Sequence, residues 1–281
     1  MNQFAGTRLQ LIITRFLLIF VVGPLAWTLA RLFFRIRVEG AEKVASMPRS
    51  GILAVRHFYE WDPFLYWGAF LWAQAARDHR FTAHPMAGAF WAQNAIFRAI
   101  STLCGILPFV PGREPFNGAL GAAERILRGP YADTVVIFPT GPIGRSRQYH
   151  MRYGVGWLGE RLPEVPIYPV TLLGLQEVRW SEVLRLRRPL LTVRIAEPIH
   201  GSAADAEERQ ARERQICAAI CGAWDLMETV AVPAAEPSKR PAAGPDNDEP
   251  TATAPSATLL RFPIRRSSQC NIGMGPLRFG T

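Results

Sequence analysis

His57 and Asp62, five positions apart in the run Arg56-His57-Phe58-Tyr59-Glu60-Trp61-Asp62-Pro63, are the residues of this chain best suited to moving a proton. An imidazole whose far nitrogen donates to a carboxylate is held in one tautomer, and its near nitrogen is then free to accept a proton from an attacking hydroxyl. The surrounding pattern permits that pairing. Gly51 to Arg56 (GILAVR) reads as a strand and Pro63 as the opening of a helix, which puts His57 at the strand's end and Asp62 at the helix N-cap. A tight loop between them can fold one side chain onto the other. The same spacing also fits an Asp that only caps its helix beside a His hydrogen-bonded at a strand end, so support is needed from elsewhere in the chain.

Phe138-Pro139-Thr140-Gly141-Pro142-Ile143-Gly144-Arg145-Ser146 supplies some of it. It follows the apolar run Thr134 to Phe138 and reads as a strand ending in a Gly/Pro-rich loop that carries an Arg and two hydroxyls, Thr140 and Ser146. Such a loop suits an anion. Glycines such as Gly141 let backbone N–H groups approach a phosphate, and Arg145 adds a bidentate charged contact that Lys cannot copy. Between the two lies Ile106-Leu107-Pro108-Phe109-Val110-Pro111-Gly112-Arg113, a second apolar segment ending in a turn with a terminal Arg. Val165-Pro166-Ile167-Tyr168-Pro169-Val170 is a further short strand-like run edged by prolines.

In order and spacing these four blocks resemble the PlsC-like glycerolipid acyltransferases, the 1-acylglycerol-3-phosphate and lysophospholipid acyltransferase family. The family's first block is His, four residues, Asp, matched by His57 and Asp62. Its second ends in a basic residue after Gly, matched by Gly112 and Arg113. Its third reads Phe-Pro-Glu-Gly-Thr-Arg-Ser, matched by Phe138, Pro139, Gly141, Arg145 and Ser146. Its fourth is an apolar Val-Pro stretch, matched by Val165, Pro166 and Pro169. The later run Leu191 to Ile199 resembles the strand that commonly closes this domain, so the likeness covers about Phe34 to Ile199.

The resemblance implies transfer of a fatty acyl group from a thioester to the hydroxyl of a lysophospholipid. His57 and Asp62 would be the catalytic pair, with Arg113, Thr140, Gly141, Arg145 and Ser146 binding substrate. Membrane lipids and acyl-CoA or acyl carrier protein are the partners it implies, the thioester serving as co-substrate with no bound cofactor, at the cytoplasmic face of a bacterial inner membrane. Two departures bear on the acceptor. Thr140 stands where the family has Glu, and Pro142-Ile143-Gly144 replaces a single residue before Arg145. An acceptor other than lysophosphatidate, such as an aminolipid or glycolipid, therefore stays open, as does a non-catalytic lipid-binding protein of the same fold. Arg56 replaces a small polar residue before the His, and is expected to add positive charge beside the reaction centre.

The elements that must position these residues alternate along the chain. Strands are expected near Phe34 to Val38, Gly51 to Arg56, Arg80 to Pro85, Gly105 to Val110, Thr134 to Phe138, Ile167 to Leu172 and Leu191 to Ile195. Helices are expected at Pro63 to Ala76, Ala87 to Ser101, Pro115 to Arg128, Val155 to Leu162 and Ala203 to about Glu228. Such alternation predicts an α/β fold with a central, largely parallel sheet, helices on both faces and sites at strand ends.

Three regions follow: a membrane-anchoring segment over 1–34, the α/β domain over 35–230, and a disordered Pro/Ala-rich linker and tail over 231–281. Phe16 to Ala30 is uncharged and strongly apolar but shorter than the roughly 20 residues a bilayer span requires. Arg8, Arg15, Arg31, Arg35 and Arg37 flank it and Pro24 interrupts it, so a membrane-associated helical hairpin in one leaflet is expected, with a tilted single span as the alternative.

The net charge of +9 is carried almost wholly by Arg, which favours phosphate-bearing partners or an anionic membrane. Without zinc-finger spacing, an RNA-binding signature or a basic stripe with interleaved aromatics, no nucleic-acid partner is expected. His79 and His84 are oddly spaced and no Glu stands at zincin spacing, so no metal is expected either. Cys104, Cys217, Cys221 and Cys270 suggest no disulfide framework and hence a reducing compartment. Glu60 reads as a solvated loop residue, and Trp61, Trp67, Trp72 and Trp91 as core residues or the lining of an acyl channel.

Overall fold

A strand covered on both faces needs an unbroken apolar run, and Gly51–Val55 meets that requirement with all five residues buried. It lies at the centre of a computed structural model that describes residues 8–47, 50–56, 65–77, 82–88, 95–109, 118–129, 133–140, 149–150, 154–175, 178, 180–201, 208–229 and 270–271. The chain opens with helix α1, in which Arg8–Leu17, the π-helical Leu18–Val22 and Gly23–Phe33 run on without a break. There follow β1 (Arg35–Glu39), α2 (Ala41–Ala45), β2 (Gly51–Val55), then α3, made of a π-helical Trp67–Leu71 and Trp72–Arg77. Next come β3 (Thr82–Gly88), α4 (Ala95–Leu103), β4 (Leu107–Phe109), α5 (Ala119–Leu127) and β5 (Asp133–Ile137). The rest comprises β6 (Tyr149–His150), α6 (Gly154–Arg161), β7 (Ile167–Leu173), α7 (Trp180–Leu184), β8 (Leu190–Ile195), α8 (Arg209–Thr229) and β9 (Cys270–Asn271).

Seven strands form one sheet in the order β1-β8-β7-β2-β5-β3-β4, and β6 pairs with β9. The five strands from β7 to β4 are parallel, as the alternation predicts. β8 runs antiparallel to β7, and β1 follows β8. The reversal has a simple cause: α7 has five residues and spans about 7.5 Å, too short to carry the chain back across the sheet. The fold is α/β with helices on both faces. Ile52 and Ala54 of β2 join one core with α5, α6 and α8, while Leu53 and Val55 join the other with α1 and α3, the two-residue alternation of a strand feeding both layers.

The expected hairpin is corrected by α1. Pro24 does not break the helix, because the widened π-helical turn just before it absorbs a residue that cannot donate its N–H. Gly23 makes room for the neighbouring helix: a Cβ there would lie 2.0 Å from Trp72 Cδ1. Trp72 donates from Nε1 to Ile19 O at 2.8 Å and its ring lies 5.3 Å from that of Trp27, so this tryptophan ties α3 to α1. Thr14, Leu18 and Ala30 face the domain, whereas Leu9, Ile12, Phe16, Phe20, Leu25, Leu29 and Leu32 form an exposed apolar stripe. Ile12–Phe33, 22 residues with a mean hydropathy of 2.0, is long and apolar enough to cross a bilayer.

Arg15 does not reach toward a membrane surface. Its Nη2 donates to Asp133 Oδ1 at 2.7 Å, with Asp133 only 2 % exposed. Cys221 is disulfide-bonded, which corrects the expectation of a chain without disulfides and removes cysteine usage as support for a reducing compartment. Cys217 is a free thiol pushed up to about 12 by burial and is inert at neutral pH.

Candidate active site

The four sequence blocks map onto four parallel strands: β2, β4, β5 and β7. Two of them matter most. β2 leads into His57 and β5 leads into the Gly/Pro loop, and these strands are hydrogen-bonded neighbours with Gly51 opposite Thr134 and Ala54 opposite Ile137. Blocks some eighty residues apart in sequence thus leave the sheet side by side at its carboxyl edge, where open α/β sheets gather their ligands. β7 flanks β2 on the other side, with Ala54 opposite Pro169. Val165 and Pro166 instead enter β7 at the opposite edge, where Pro166 O accepts from Ile52 N at 2.9 Å. The fourth block is therefore a packing element over its first half.

Of the seven expected site residues, Thr140 is described. It lies beyond the end of β5, after the buried Pro139, and its Oγ1 is shut off from solvent with no hydrogen-bond partner. His57, Asp62, Arg113, Gly141, Arg145 and Ser146 lie outside the described residues, as do Glu60, Trp61, His79 and Trp91.

What precedes His57 is described in full. Arg56 N donates to Val170 O at 2.8 Å, continuing the β2–β7 ladder by one residue. Its carbonyl accepts from Tyr66 Oη at 3.2 Å. The side chain is 1 % exposed, ion-paired through Nη1 with Glu228 and 3.6 Å from Asp225 Oδ1. This overturns the expectation of added positive charge beside the reaction centre: the guanidinium is buried against two carboxylates of α8. Burial pushes both carboxyls above their ordinary range and Arg56 draws both back down. Sequence reasoning missed Tyr66, Asp225 and Glu228. Only the unusual Arg before the His hinted that a counter-charge must exist.

His84 belongs elsewhere. It is fully buried at the opposite half of the sheet, its Nδ1 3.0 Å from Gly105 O and its Nε2 4.0 Å from Asp133 Oδ2. Burial chiefly holds its ionisation below the usual imidazole value, and Arg15 adds to the lowering, while Asp133 and the Gly105 carbonyl oppose it. Gly105 must be Gly, at φ +64° with its would-be Cβ 2.6 Å from His84 Nδ1. Among the described residues no group of three or more His, Cys, Asp or Glu side chains could hold a metal ion.

Fold and edge together define an α/β protein with its motif loops at the carboxyl ends of adjacent parallel strands. No family profile and no curated protein matches the chain. Among solved structures it is similar to the 1-acyl-sn-glycerophosphate acyltransferase PlsC from Thermotoga maritima, at 19 % identity over 79 % of this chain and 80 % of that one, with a TM-score of 0.47.

Proposed function

We propose that the chain is a membrane-associated O-acyltransferase that moves a fatty acyl group from acyl-CoA or acyl carrier protein to the hydroxyl of a lysophospholipid. The observation that supports this reading is the adjacency of β2 and β5, the two strands whose carboxyl ends lead into the His57 and Arg145 segments. His57 takes the proton as the acceptor oxygen attacks the thioester carbonyl. The tetrahedral adduct collapses, the C–S bond breaks, and the leaving thiolate takes the proton from the imidazolium. Asp62 orients the ring and stabilises its charged form. General-base help is worth about two to four powers of ten, so positioning and oxyanion stabilisation must supply the rest. Arg113 and Arg145 hold the anionic headgroup, with Gly141, Thr140 and Ser146 shaping its loop. The step needs no acyl-enzyme, no bound cofactor and no metal.

The exposed apolar stripe of α1 supports membrane association, and Thr140 in place of a carboxylate supports an acceptor that differs from lysophosphatidate. H57A is expected to abolish transfer from a labelled acyl thioester while membrane association persists; turnover in H57A refutes the assignment. Lipid profiling of a deletion strain identifies the acceptor through the lyso-lipid that accumulates. This reading puts the domain on the cytoplasmic side, which requires that the Cys221 disulfide be open in cells. Alkylation of intact cells followed by mass spectrometry reads this, and an oxidised Cys221 in cells places the domain on the other side.

A further inference from the structure

We propose that Arg56 and the carboxylates of Asp225 and Glu228 form a positioning clamp through which the last turn of α8 sets the end of β2, and with it the starting point of His57. This rests on the acyltransferase reading above.

Arg56 is held at three separate points. Its N–H is fixed by Val170 of β7, its carbonyl by the hydroxyl of Tyr66 just before α3, and its guanidinium by Glu228 and Asp225 of α8. These come from both faces of the sheet and from the sheet itself. Arg56 is thereby restrained in backbone and side chain from three directions. The helix end is restrained in turn. Trp224 donates from Nε1 to Ala54 O at 3.2 Å, two residues before Arg56. Arg194 of β8 donates to Met227 O at 2.6 Å, capping a terminal carbonyl of α8. Ile216, Cys217, Ile220, Cys221 and Trp224 bury one stripe of the helix, which fixes its lateral seat. An apolar stripe alone tolerates small axial slips, whereas a charged pair meeting at the helix end selects one setting.

Stability does not account for this arrangement. Taking an arginine to 1 % exposure has a desolvation cost that such a pair often fails to recover, and an apolar residue of similar volume commonly serves as well or better. Both carboxyls remain raised despite Arg56, so their charged forms are still penalised in the fold. Placement of the neighbouring base explains why charge is kept there, since misplacement of about 1 Å can cost roughly a hundredfold in rate.

The test compares wild type, H57A, R56M, R56K, D225N/E228Q and the neutral triple R56M/D225N/E228Q in labelled acyl transfer and thermal unfolding. R56M is expected to lower both kcat and Tm, because it leaves the half-buried Glu228 and its neighbour Asp225 without their cation. The triple is expected to recover Tm to near wild type while kcat stays about 10- to 100-fold down and KM for either substrate moves by no more than about threefold. R56K should recover part of kcat, since it restores the cation but not the planar guanidinium that sits against Glu228 and Asp225. A neutral triple with wild-type kcat, or kcat losses that simply track Tm across the set, overturns the clamp and leaves the acyltransferase reading standing. An inactive wild type or an active H57A overturns that reading, and the clamp falls with it.

Discussion

Replacing Arg15 by Met tests whether α1 is part of the α/β domain or merely attached to it. Beside the packing of Leu18 and Ala30 and the Trp72 tie, an ion pair joins the two, Arg15 Nη2 to Asp133 Oδ1 at 2.7 Å, with side-chain exposures of 18 % and 2 %. R15M keeps most of the apolar stem but leaves a carboxylate at the start of the central strand β5 without its cation. Breaking a buried pair from one side costs about 3–5 kcal/mol. Arg15 retains some solvent contact, which places the expected loss near the lower end, about 3 kcal/mol. For a chain of this size that lowers Tm by roughly 6–12 °C. D133N removes the charge from the buried side and leaves Arg15 a route to water, so its cost should be about 1–2 kcal/mol. The double variant R15M/D133N has no stranded charge and should be more stable than R15M alone. The assay is a double-mutant cycle by thermal unfolding in detergent micelles. If the double variant is no more stable than the sum of its parts, with a coupling below about 0.5 kcal/mol, the two residues are energetically independent. The claim that a buried charge pair locks the helix to the sheet would then be wrong.

His84 gives the protein an acid limb. Its folded-state ionisation lies below the ordinary imidazole value of 6.5, so the unfolded chain binds the proton more readily. Stability is therefore complete above about pH 6.5 and declines as pH falls toward the lowered value; H84N should flatten this limb in unfolding measured from pH 7.5 to 5. Thr140 separates stability from binding. Because its Oγ1 is shut off from solvent with no hydrogen-bond partner, T140V should raise unfolding free energy by about 1 kcal/mol, while raising KM for the acceptor in acyl-transfer assays and leaving KM for the thioester unchanged. Equal shifts in both KM values remove Thr140 from the acceptor site.

The strands β1, β2, β3, β4, β5, β7 and β8 fall where apolar runs bounded by Gly, Pro and charged residues place them, within one to three residues. Helices α3, α5, α6 and α8 were legible in place, because amphipathic spacing and helix-terminating residues are local signals, but α5 and α8 begin later than expected, at Ala119 and Arg209, and Ala87 and Gly88, expected to open α4, belong to β3. α7 and the β6–β9 pair were not, being too short to leave a periodic trace. The hairpin expected from Pro24 failed for an instructive reason. A proline reports a missing donor, but whether the chain kinks or widens into a π-helical turn depends on what packs there, and here Trp72 fills the space beside Gly23.

Sequence alone determined the α/β class, the identity of the candidate proton-transfer pair and the apolar character of the N-terminal helix, since each is written in neighbouring residues whose spacing has direct physical meaning. Tertiary structure decided that β8 and β1 reverse direction, that Arg15 turns inward to Asp133, and that Arg56 is neutralised by α8 instead of charging the site. The last two outcomes join residues more than a hundred positions apart. A charge's partner is set by where packed elements bring the chain together, and nothing in the local pattern around an arginine records which distant carboxylate will arrive.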